Sequence, residues 1–276
     1  MSIIHKFSLI ITTRCNLKCR LCCEYVPANK PFPDISVDEA SNILEAAFDV
    51  FDTIDTLHLT GGGEPFLHSD LPELIKICMK PSWKERINKL MLLTNCTIPV
   101  SPELLSTLTE YKDKIVVQVS RYNVMPEREE KILEILNKIG VMLKVENYHG
   151  ENQSFGGWLD FGSWESHGRS SEELLNIFRT CSVTKVLKGN WRTRDGKVHW
   201  CSRSQRGMEL GLIPDESGDY VDLLDTTLTS GEKRAKFECI AKKKYLSACD
   251  YCSGDAGTED KTKRFKAAEQ MKGELY

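Results

Sequence analysis

Three cysteines lie close together near the start of the chain. They form the run Cys15-Asn-Leu-Lys-Cys19-Arg-Leu-Cys22, which is a C-x3-C-x2-C spacing. Thiolates are the soft ligands that zinc and iron–sulfur clusters prefer. Zinc sites usually use C-x2-C pairs, so this spacing favours a four-iron cluster held at three of its irons. The fourth iron would then have no protein ligand and could bind a substrate or cofactor.

Four further cysteines follow in the second half of the chain. Cys181, Gly196 and Cys201 give a C-x14-G-x4-C spacing, and Cys249 and Cys252 form a C-x2-C pair. Two separated pairs of this kind could bind zinc as well as a second cluster. Cys239 lies between the pairs and is a spare candidate ligand.

The composition favours metal-ligating over disulfide-bonded cysteines. The 276 residues include 11 cysteines, an odd number that cannot all pair internally. Because the start of the chain has no export signal, we expect a cytoplasmic protein, in which clustered cysteines are more often metal ligands or catalytic groups. A net charge of −3 without a basic block does not indicate a nucleic-acid partner. The longest apolar stretch, residues 7–11, is too short to span a bilayer, so no membrane partner is expected.

Strand-like and helical patterns alternate through the first half of the chain, where they would position these cysteines. The predicted strands are Phe7–Thr12, Thr56–Thr60, Lys89–Thr94, Lys114–Ser120 and Val141–Glu146. The predicted helices between them are Val37–Phe51, Leu71–Met79, Pro102–Tyr111 and Pro126–Ile139. This alternation predicts βα units around a parallel sheet, as in a partial or full β/α barrel.

The alternation ends after about Tyr148, which predicts a second, smaller module. Residues 150–168 are rich in Gly, Ser and Trp and are typical of a loop. The following predicted elements are a helix at Ser171–Phe178, strands at Thr184–Leu187 and Lys197–Trp200, and a helix at Ser230–Lys244. The predicted domains are therefore a barrel at 1–165, a hairpin-containing module at 166–255 and a charged surface helix or disordered tail at 256–276.

The first cysteine motif and the segment Thr60-Gly-Gly-Gly-Glu-Pro65 together resemble the radical S-adenosylmethionine (SAM) superfamily. The resemblance implies that Cys15, Cys19 and Cys22 bind a [4Fe–4S] cluster whose open iron chelates SAM. Reductive cleavage of SAM would then give a 5′-deoxyadenosyl radical that abstracts a hydrogen from the substrate. The implied SAM contacts are Leu21 near the adenine, Gly62, Gly63 and Glu64 at the methionyl amino group, and Ser120 near the ribose.

The later cysteines resemble the auxiliary-cluster modules called SPASM and Twitch. No cysteine follows Cys252, so the match is to the shorter Twitch form. This implies a second, fully ligated [4Fe–4S] cluster held by Cys181, Cys201, Cys249 and Cys252. The expected fold class is α/β, a partial (β/α)6-type radical SAM barrel with a small C-terminal β-hairpin/helix Twitch domain.

Several residues near the ends of the predicted strands are candidates for catalysis. Glu146, His149 and Arg121 are candidate bases, and Arg121 is also a candidate partner for the SAM carboxylate. Cys96 follows the third predicted strand, and it or Cys23 could donate a hydrogen atom in an epimerase.

The favoured function is oxidation or epimerisation of a sugar, an aminocyclitol or another small polar metabolite, with flavodoxin or ferredoxin as the reductant. The first alternative is modification of a ribosomally made peptide, although only about six residues precede the first predicted strand, and peptide modifiers often carry a longer extension. A maturase or a metal-binding interaction module is the alternative from another class.

Overall fold

The computed structural model describes residues 2–25, 31–151, 153, 158–185, 189–254 and 265–272. The chain divides into two compact units. The first comprises Met1–Arg20, Val26–Ser154 and Ala267–Tyr276, and the second comprises Leu21–Tyr25 and Phe155–Lys266. None of the described helices is long and apolar enough to cross a lipid bilayer.

The first unit is built on a parallel sheet in which the strand order is β5-β4-β3-β2-β1. The strands are β1 (Ile3–Thr12), β2 (Thr53–Gly61), β3 (Ile87–Thr94), β4 (Ile115–Arg121) and β5 (Met142–Asn147). All five predicted strands are present, and every neighbouring pair runs parallel. The α/β class with a partial-barrel sheet is therefore confirmed, with five strands in the described part of this unit.

Helices connect successive strands of the first unit. They are α1 (Val37–Val50), α2 (Leu71–Cys78), α3 (Pro81–Lys84), α4 (Pro102–Glu110) and α5 (Pro126–Ile139). Ser36 caps α1 because its side chain accepts from the Glu39 amide while the Glu39 carboxylate accepts from the Ser36 amide, a reciprocal capping box. Gly140 ends α5 in the left-handed conformation at φ +74°.

The strands pack as a buried sheet whose carboxyl ends share one edge. Leu9, Ile10 and Ile11 of β1 are almost fully buried, as expected when helices cover a parallel sheet. Because all five strands run in the same direction, the segments that follow them lie at the same edge. The first cysteine motif follows β1 and the Gly-Gly-Glu turn follows β2, so the fold brings the two predicted motifs to this edge.

Residues 265–272 are the described part of the predicted C-terminal segment. It contains no helix, and Gln270 pairs with Cys19 in an isolated antiparallel bridge. The rest of the predicted tail, at 256–264 and 273–276, lies outside the described residues.

The second unit combines a small antiparallel sheet with four α-helices and a 3-10 helix at Ser247–Tyr251 in its described part. Its strands are β6 (Trp191–Thr193), β7 (Lys197–His199) and β8 (Tyr220–Asp222), and its helices are α6 (Ser171–Thr180), α7 (Ser182–Lys185), α8 (Ser202–Glu209) and α9 (Ser230–Ala241). The predicted hairpin turn is present between β6 and β7. Gly196 adopts φ +98° there, and a Cβ at this position would lie 2.7 Å from Leu224.

The predicted strand at Thr184–Leu187 is wrong. Ser182–Lys185 form the short helix α7, because the chain turns directly after α6 and the Thr184 amide donates to the Cys181 carbonyl at 3.1 Å. Val186 and Leu187 lie outside the described residues. The strand that pairs with β7 is instead β6, which lies closer to the turn.

Candidate active site and cysteine cavity

The loop that carries Cys15 and Cys19 is held by groups of the first unit. The Asn95 side-chain amide lies 3.9 Å from Cys15 Sγ, and the Gln270 side-chain amide donates to Cys19 Sγ at 3.3 Å. Arg14, which precedes Cys15, forms a salt bridge with Asp34. Leu21 and Cys22 belong to the short segment Leu21–Tyr25 that groups with the second unit, and Leu21 adopts the left-handed φ of +58°.

The Gly-Gly-Glu turn packs directly on the backbone that precedes Cys15. The Gly63 amide donates to the Thr12 carbonyl at 3.1 Å, and the Glu64 amide donates to the Arg14 carbonyl at 2.8 Å. A Cβ at Gly63 would lie 1.9 Å from the Arg14 carbonyl oxygen. This close approach of two backbones explains why glycine occupies the position.

The Glu64 carboxyl group is buried and holds the end of β3. It accepts from the Thr94 hydroxyl at 2.8 Å, the Asn95 amide at 2.7 Å and the Phe66 amide at 3.0 Å. Burial raises the pKa of Glu64 from 4.5 to about 7, although these three donors oppose the shift. A carboxylate offers about four lone-pair positions, so one remains for a ligand such as an ammonium group.

Asn95 is a residue of this site that the sequence analysis missed. Its amide nitrogen donates to Asn16 Oδ1 at 3.1 Å, and its amide oxygen accepts from the Thr97 backbone amide at 3.0 Å. It thereby links the end of β3 to the cysteine loop. The signal was its position directly after a predicted strand, which is where site residues concentrate in parallel sheets.

Ser120 and Glu146 are register partners at the ends of β4 and β5. Glu146 accepts from the Tyr148 hydroxyl at 3.1 Å and pairs with Lys144 Nζ at 2.9 Å. Arg121 is ion-paired with Glu130 and lies 3.9 Å from the buried Glu129. A guanidinium stays protonated, so Glu146 and His149 are the two predicted bases that can accept a proton.

Cys96 is buried directly after β3 in the left-handed conformation, at φ +58°. Its thiol donates to the Glu129 carbonyl at 3.6 Å. Burial raises the pKa of Cys96 to about 12, so the group is a neutral thiol. This is the protonation state from which a hydrogen atom can be donated.

The sequence comparison identifies the first unit. Residues 9–142 match the family model described as the Radical SAM superfamily. The chain carries a radical SAM domain. A [4Fe–4S] cluster and SAM are the cofactors of this superfamily, and the matched segment contains the C-x3-C-x2-C motif, the Gly-Gly-Glu turn and Ser120.

Solved structures support the same fold. "Native anSMEcpe with bound AdoMet" superposes with a TM-score of 0.55 at 15% identity, covering 85% of this chain and 83% of that chain. "Native anSMEcpe with bound AdoMet and Cp18Cys peptide" gives 0.55 at 14% identity, covering 96% and 93%. At these identities the likeness shows the fold alone. A comparison with curated proteins finds no match.

The second unit contains a cavity of about 270 Å³. The four cysteines of the later motif all line it: Cys181, Cys201, Cys249 and Cys252. Cys23 also lines the cavity, whereas Cys239 is exposed on α9 and does not. The fold thus brings together side chains from sequence positions about 70 residues apart, as the Twitch-like spacing requires.

Backbone amides donate to two of these thiols. The Ser204 amide donates to Cys201 Sγ at 3.5 Å, and the Gly254 amide donates to Cys252 Sγ at 3.3 Å. Two further lining residues, Trp200 and Arg203, each have a buried nitrogen, Nε1 and Nη1, without a hydrogen-bond partner among the described residues. Buried donors are normally satisfied. An anionic cluster with sulfide acceptors fits this donor set.

Two thiols of the cavity, Cys201 and Cys249, hold their protons tightly. Within the described ranges, no group of three His, Cys, Asp or Glu side chains that could hold one metal ion is found. Burial raises the pKa of Cys201 to about 12 and that of Cys249 further still, with the neighbouring thiols contributing to both shifts. Metal binding must therefore displace protons here.

A buried ion pair that the sequence analysis missed fixes the segment after Cys22. Arg192 of β6 is 3% exposed and forms a two-pronged pair with Glu24, including an Nη1–Oε1 hydrogen bond of 2.7 Å. Burial raises the pKa of the adjacent Cys23 thiol well above its usual value. Tyr25 packs edge-on against Trp164, with ring centroids 4.6 Å apart.

Proposed function

We propose that this chain is a radical SAM oxidoreductase with two [4Fe–4S] clusters. The first would be held by Cys15, Cys19 and Cys22, and the auxiliary cluster by the four cysteines of the second unit. The observation that carries the two-cluster assignment is the cavity lined by four thiols and by Trp200 and Arg203, each of which has a buried nitrogen without a hydrogen-bond partner among the described residues. These properties support a Twitch-like site over a single-ion zinc module.

When bound, the cofactors would supply a 5′-deoxyadenosyl radical, which removes a hydrogen atom from the substrate. They would also supply an auxiliary acceptor for the second electron. The protein residues would orient SAM. Gly62 and Gly63 would let the backbone approach the methionyl group, and Glu64 would offer its remaining lone pair to the amino group. Ser120 would contact the ribose, and Leu21 would pack on the adenine.

The substrate that we propose is a small polar molecule such as a sugar or an aminocyclitol. The edge formed by β4 and β5 presents Ser120, Glu146 and Tyr148, which are groups that hydrogen-bond hydroxyl and amino substituents. Oxidation of an alcohol also releases the hydroxyl proton, which Glu146, near the end of β5, would accept. A flavodoxin or ferredoxin would deliver the first electron.

Peptide modification is the second candidate. It is supported by the similarity of this chain to the anSMEcpe structure that contains a bound peptide, over 96% of this chain. Hydrogen transfer distinguishes a peptide from a small polyol, because only the true substrate passes its hydrogen to 5′-deoxyadenosine.

Iron and sulfide analysis tests the cofactor assignment. We expect about eight irons and eight sulfides per reconstituted chain, falling to about four when Cys249 and Cys252 are replaced by alanine. Zinc without sulfide would overturn the proposal and favour an interaction module.

Deuterium transfer tests the reaction. A sugar or an aminocyclitol deuterated at its carbinol carbons is incubated with SAM and reductant, in parallel with candidate peptides deuterated at Cα and Cβ. We expect deuterium in 5′-deoxyadenosine from the polyol class. Transfer only from a peptide would replace the favoured substrate with the second candidate.

A further inference from the structure

The end of the chain pairs with the loop between Cys15 and Cys22 in the manner of a short antiparallel strand. The Arg20 amide donates to the Glu269 carbonyl at 2.7 Å, and the Met271 amide donates to the Lys18 carbonyl at 2.8 Å. These two bonds flank the bridge between Cys19 and Gln270. A segment about 250 residues away in sequence therefore fixes the backbone on both sides of a predicted cluster ligand.

The Gln270 side chain lies against the Cys19 sulfur. Its Oε1 accepts from the Lys18 backbone amide at 2.8 Å, which identifies this atom as the oxygen, because an amide nitrogen could not accept. Its Nε2 donates both to Cys19 Sγ at 3.3 Å and to the Ala268 carbonyl at 2.7 Å. All three contacts agree on one orientation of the amide.

The turn before Gln270 is built to hold this position. Ala268 adopts the left-handed φ of +51°, and Ala267 and Ala268 are 6% and 4% exposed. A non-glycine residue in this conformation is uncommon and costs energy that the surrounding contacts must offset. The buried alanine pair and the backbone bonds to Lys18 and Arg20 supply those contacts.

We propose that Gln270 is a positioning residue that sets the reduction potential of the first cluster through its N–H···S bond to Cys19. This rests on the proposed function, since it assumes a cluster at Cys19. Reduction adds negative charge to the thiolates, and a donor on a thiolate stabilises the reduced form more than the oxidised one. Gln270 therefore raises the potential and makes the first electron easier to deliver.

The test is an EPR-monitored redox titration of the reconstituted full-length protein. The first cluster is recognised as the reduced signal that changes when SAM is added. Gln270→Leu removes the donor, and Gln270→Glu keeps an acceptor for Lys18 but turns an anionic oxygen toward the sulfur. We expect the potential to fall in the order wild type, leucine variant, glutamate variant. The first step should correspond to roughly a tenfold weaker reduction equilibrium, about 59 mV for one electron.

Met271→Leu is the matched control, because it changes a neighbouring neutral side chain and keeps the backbone pairing. It should titrate as the wild type does. If the leucine variant binds the cluster but loses its iron too readily for titration, the glutamate variant decides, since its loop remains anchored at Lys18. Equal potentials in the wild type and in whichever of the two variants is titrated would overturn the role of Gln270. A wild-type protein without any SAM-responsive signal would instead reject the proposed function itself.

Discussion

The space beside Gly63 is filled by the main chain of Arg14, one residue before the first cluster cysteine. Gly63→Ala would place a Cβ 1.9 Å from the Arg14 carbonyl oxygen, and backbone cannot yield as a flexible side chain can. We expect the variant to lose the first cluster and to retain about four of about eight irons, as measured by iron analysis. Gly231→Ala is the control, because a Cβ there would meet no atom closer than 3.9 Å. Full iron content in the Gly63 variant would show that the loop can shift without losing its metal.

Glu64 gives a pH-dependent prediction. Its folded-state pKa of about 7 exceeds the usual 4.5, so the folded protein binds this proton more tightly than the unfolded chain does. The stabilisation is fully present below about pH 4.5 and is lost as the pH rises to about 7, by up to about 3 kcal/mol. Glu64→Gln does not titrate. We therefore expect the stability of the cluster-free wild type relative to this variant to decrease between pH 5 and pH 8 in urea unfolding. Parallel pH curves would mean that the three donors keep the carboxylate ionised throughout.

The site residues that the sequence predicted differ from those it missed in how far along the chain their contact partners lie. The cysteine motif and the Gly-Gly-Glu turn are local patterns, so they could be assigned without a structure. Asn95 reaches Cys15 across 80 residues, Arg192 reaches Glu24 across 168, and Gln270 reaches Cys19 across 251. Partners at such separations are set by the tertiary fold, and no spacing within one segment encodes them.

At the scale of elements, the longer strands were easier to predict from the sequence, although the three-residue strand β7 also falls within the predicted strand Lys197–Trp200. The strands β1 to β5 contain six to ten residues, enough to show a continuous apolar run between helices. Strands β6, β7 and β8 contain three residues each, and the helix α7 contains four. Within so few residues the helical and extended periodicities cannot be told apart, which explains why Thr184–Leu187 was assigned to the wrong class.

Through Arg203, the helix α8 connects Cys201 to the turn between Cys249 and Cys252. Cys201 caps this helix, and Arg203 in its first turn donates Nε to the Tyr251 carbonyl at 2.8 Å, between Cys249 and Cys252. Its planar group also stacks 3.5 Å from the Trp164 ring centroid. Arg203 therefore fixes the C-x2-C turn and adds a buried positive charge beside the proposed auxiliary cluster.

Arg203→Met should weaken the auxiliary cluster selectively. We expect roughly 10- to 100-fold lower retention of the second cluster against a chelator, as for other outer partners of metal ligands, with the SAM-responsive EPR signal unchanged. Arg203→Lys should give an intermediate result, because it keeps the charge without the planar fork. The exposed Lys236→Met on α9 controls for the loss of one positive charge. Equal chelation rates in Arg203→Met and in the control would limit Arg203 to packing.

At the scale of the whole molecule, the sequence predicted the architecture better than the reaction. The fold class follows from βα alternation, and the superfamily follows from two short motifs in residues 9–142. The substrate does not follow, because one fold hosts many reactions and selectivity lies in the groups that line the site. In the proposed site those groups would include Ser120, Glu146 and Tyr148, which stand on strand ends and loops that no motif describes.

The proposed roles of the two cysteine sets, SAM cleavage at the first and electron acceptance at the second, give a prediction for the enzyme with both clusters. Replacing Cys249 and Cys252 by alanine removes two of the five thiols that line the second-unit cavity and leaves the C-x3-C-x2-C motif unchanged. We expect 5′-deoxyadenosine formation to continue while oxidation of the substrate identified by deuterium transfer falls about 10- to 100-fold, because the hydrogen atom is still removed but the second electron has no acceptor. The measurement is the ratio of oxidised product to 5′-deoxyadenosine, which should approach one in the wild type. Cys239→Ala is the matched control, since this thiol is exposed on α9 and does not line the cavity. An unchanged ratio in the double variant would show that the electron leaves by another route and would remove the auxiliary site from the reaction.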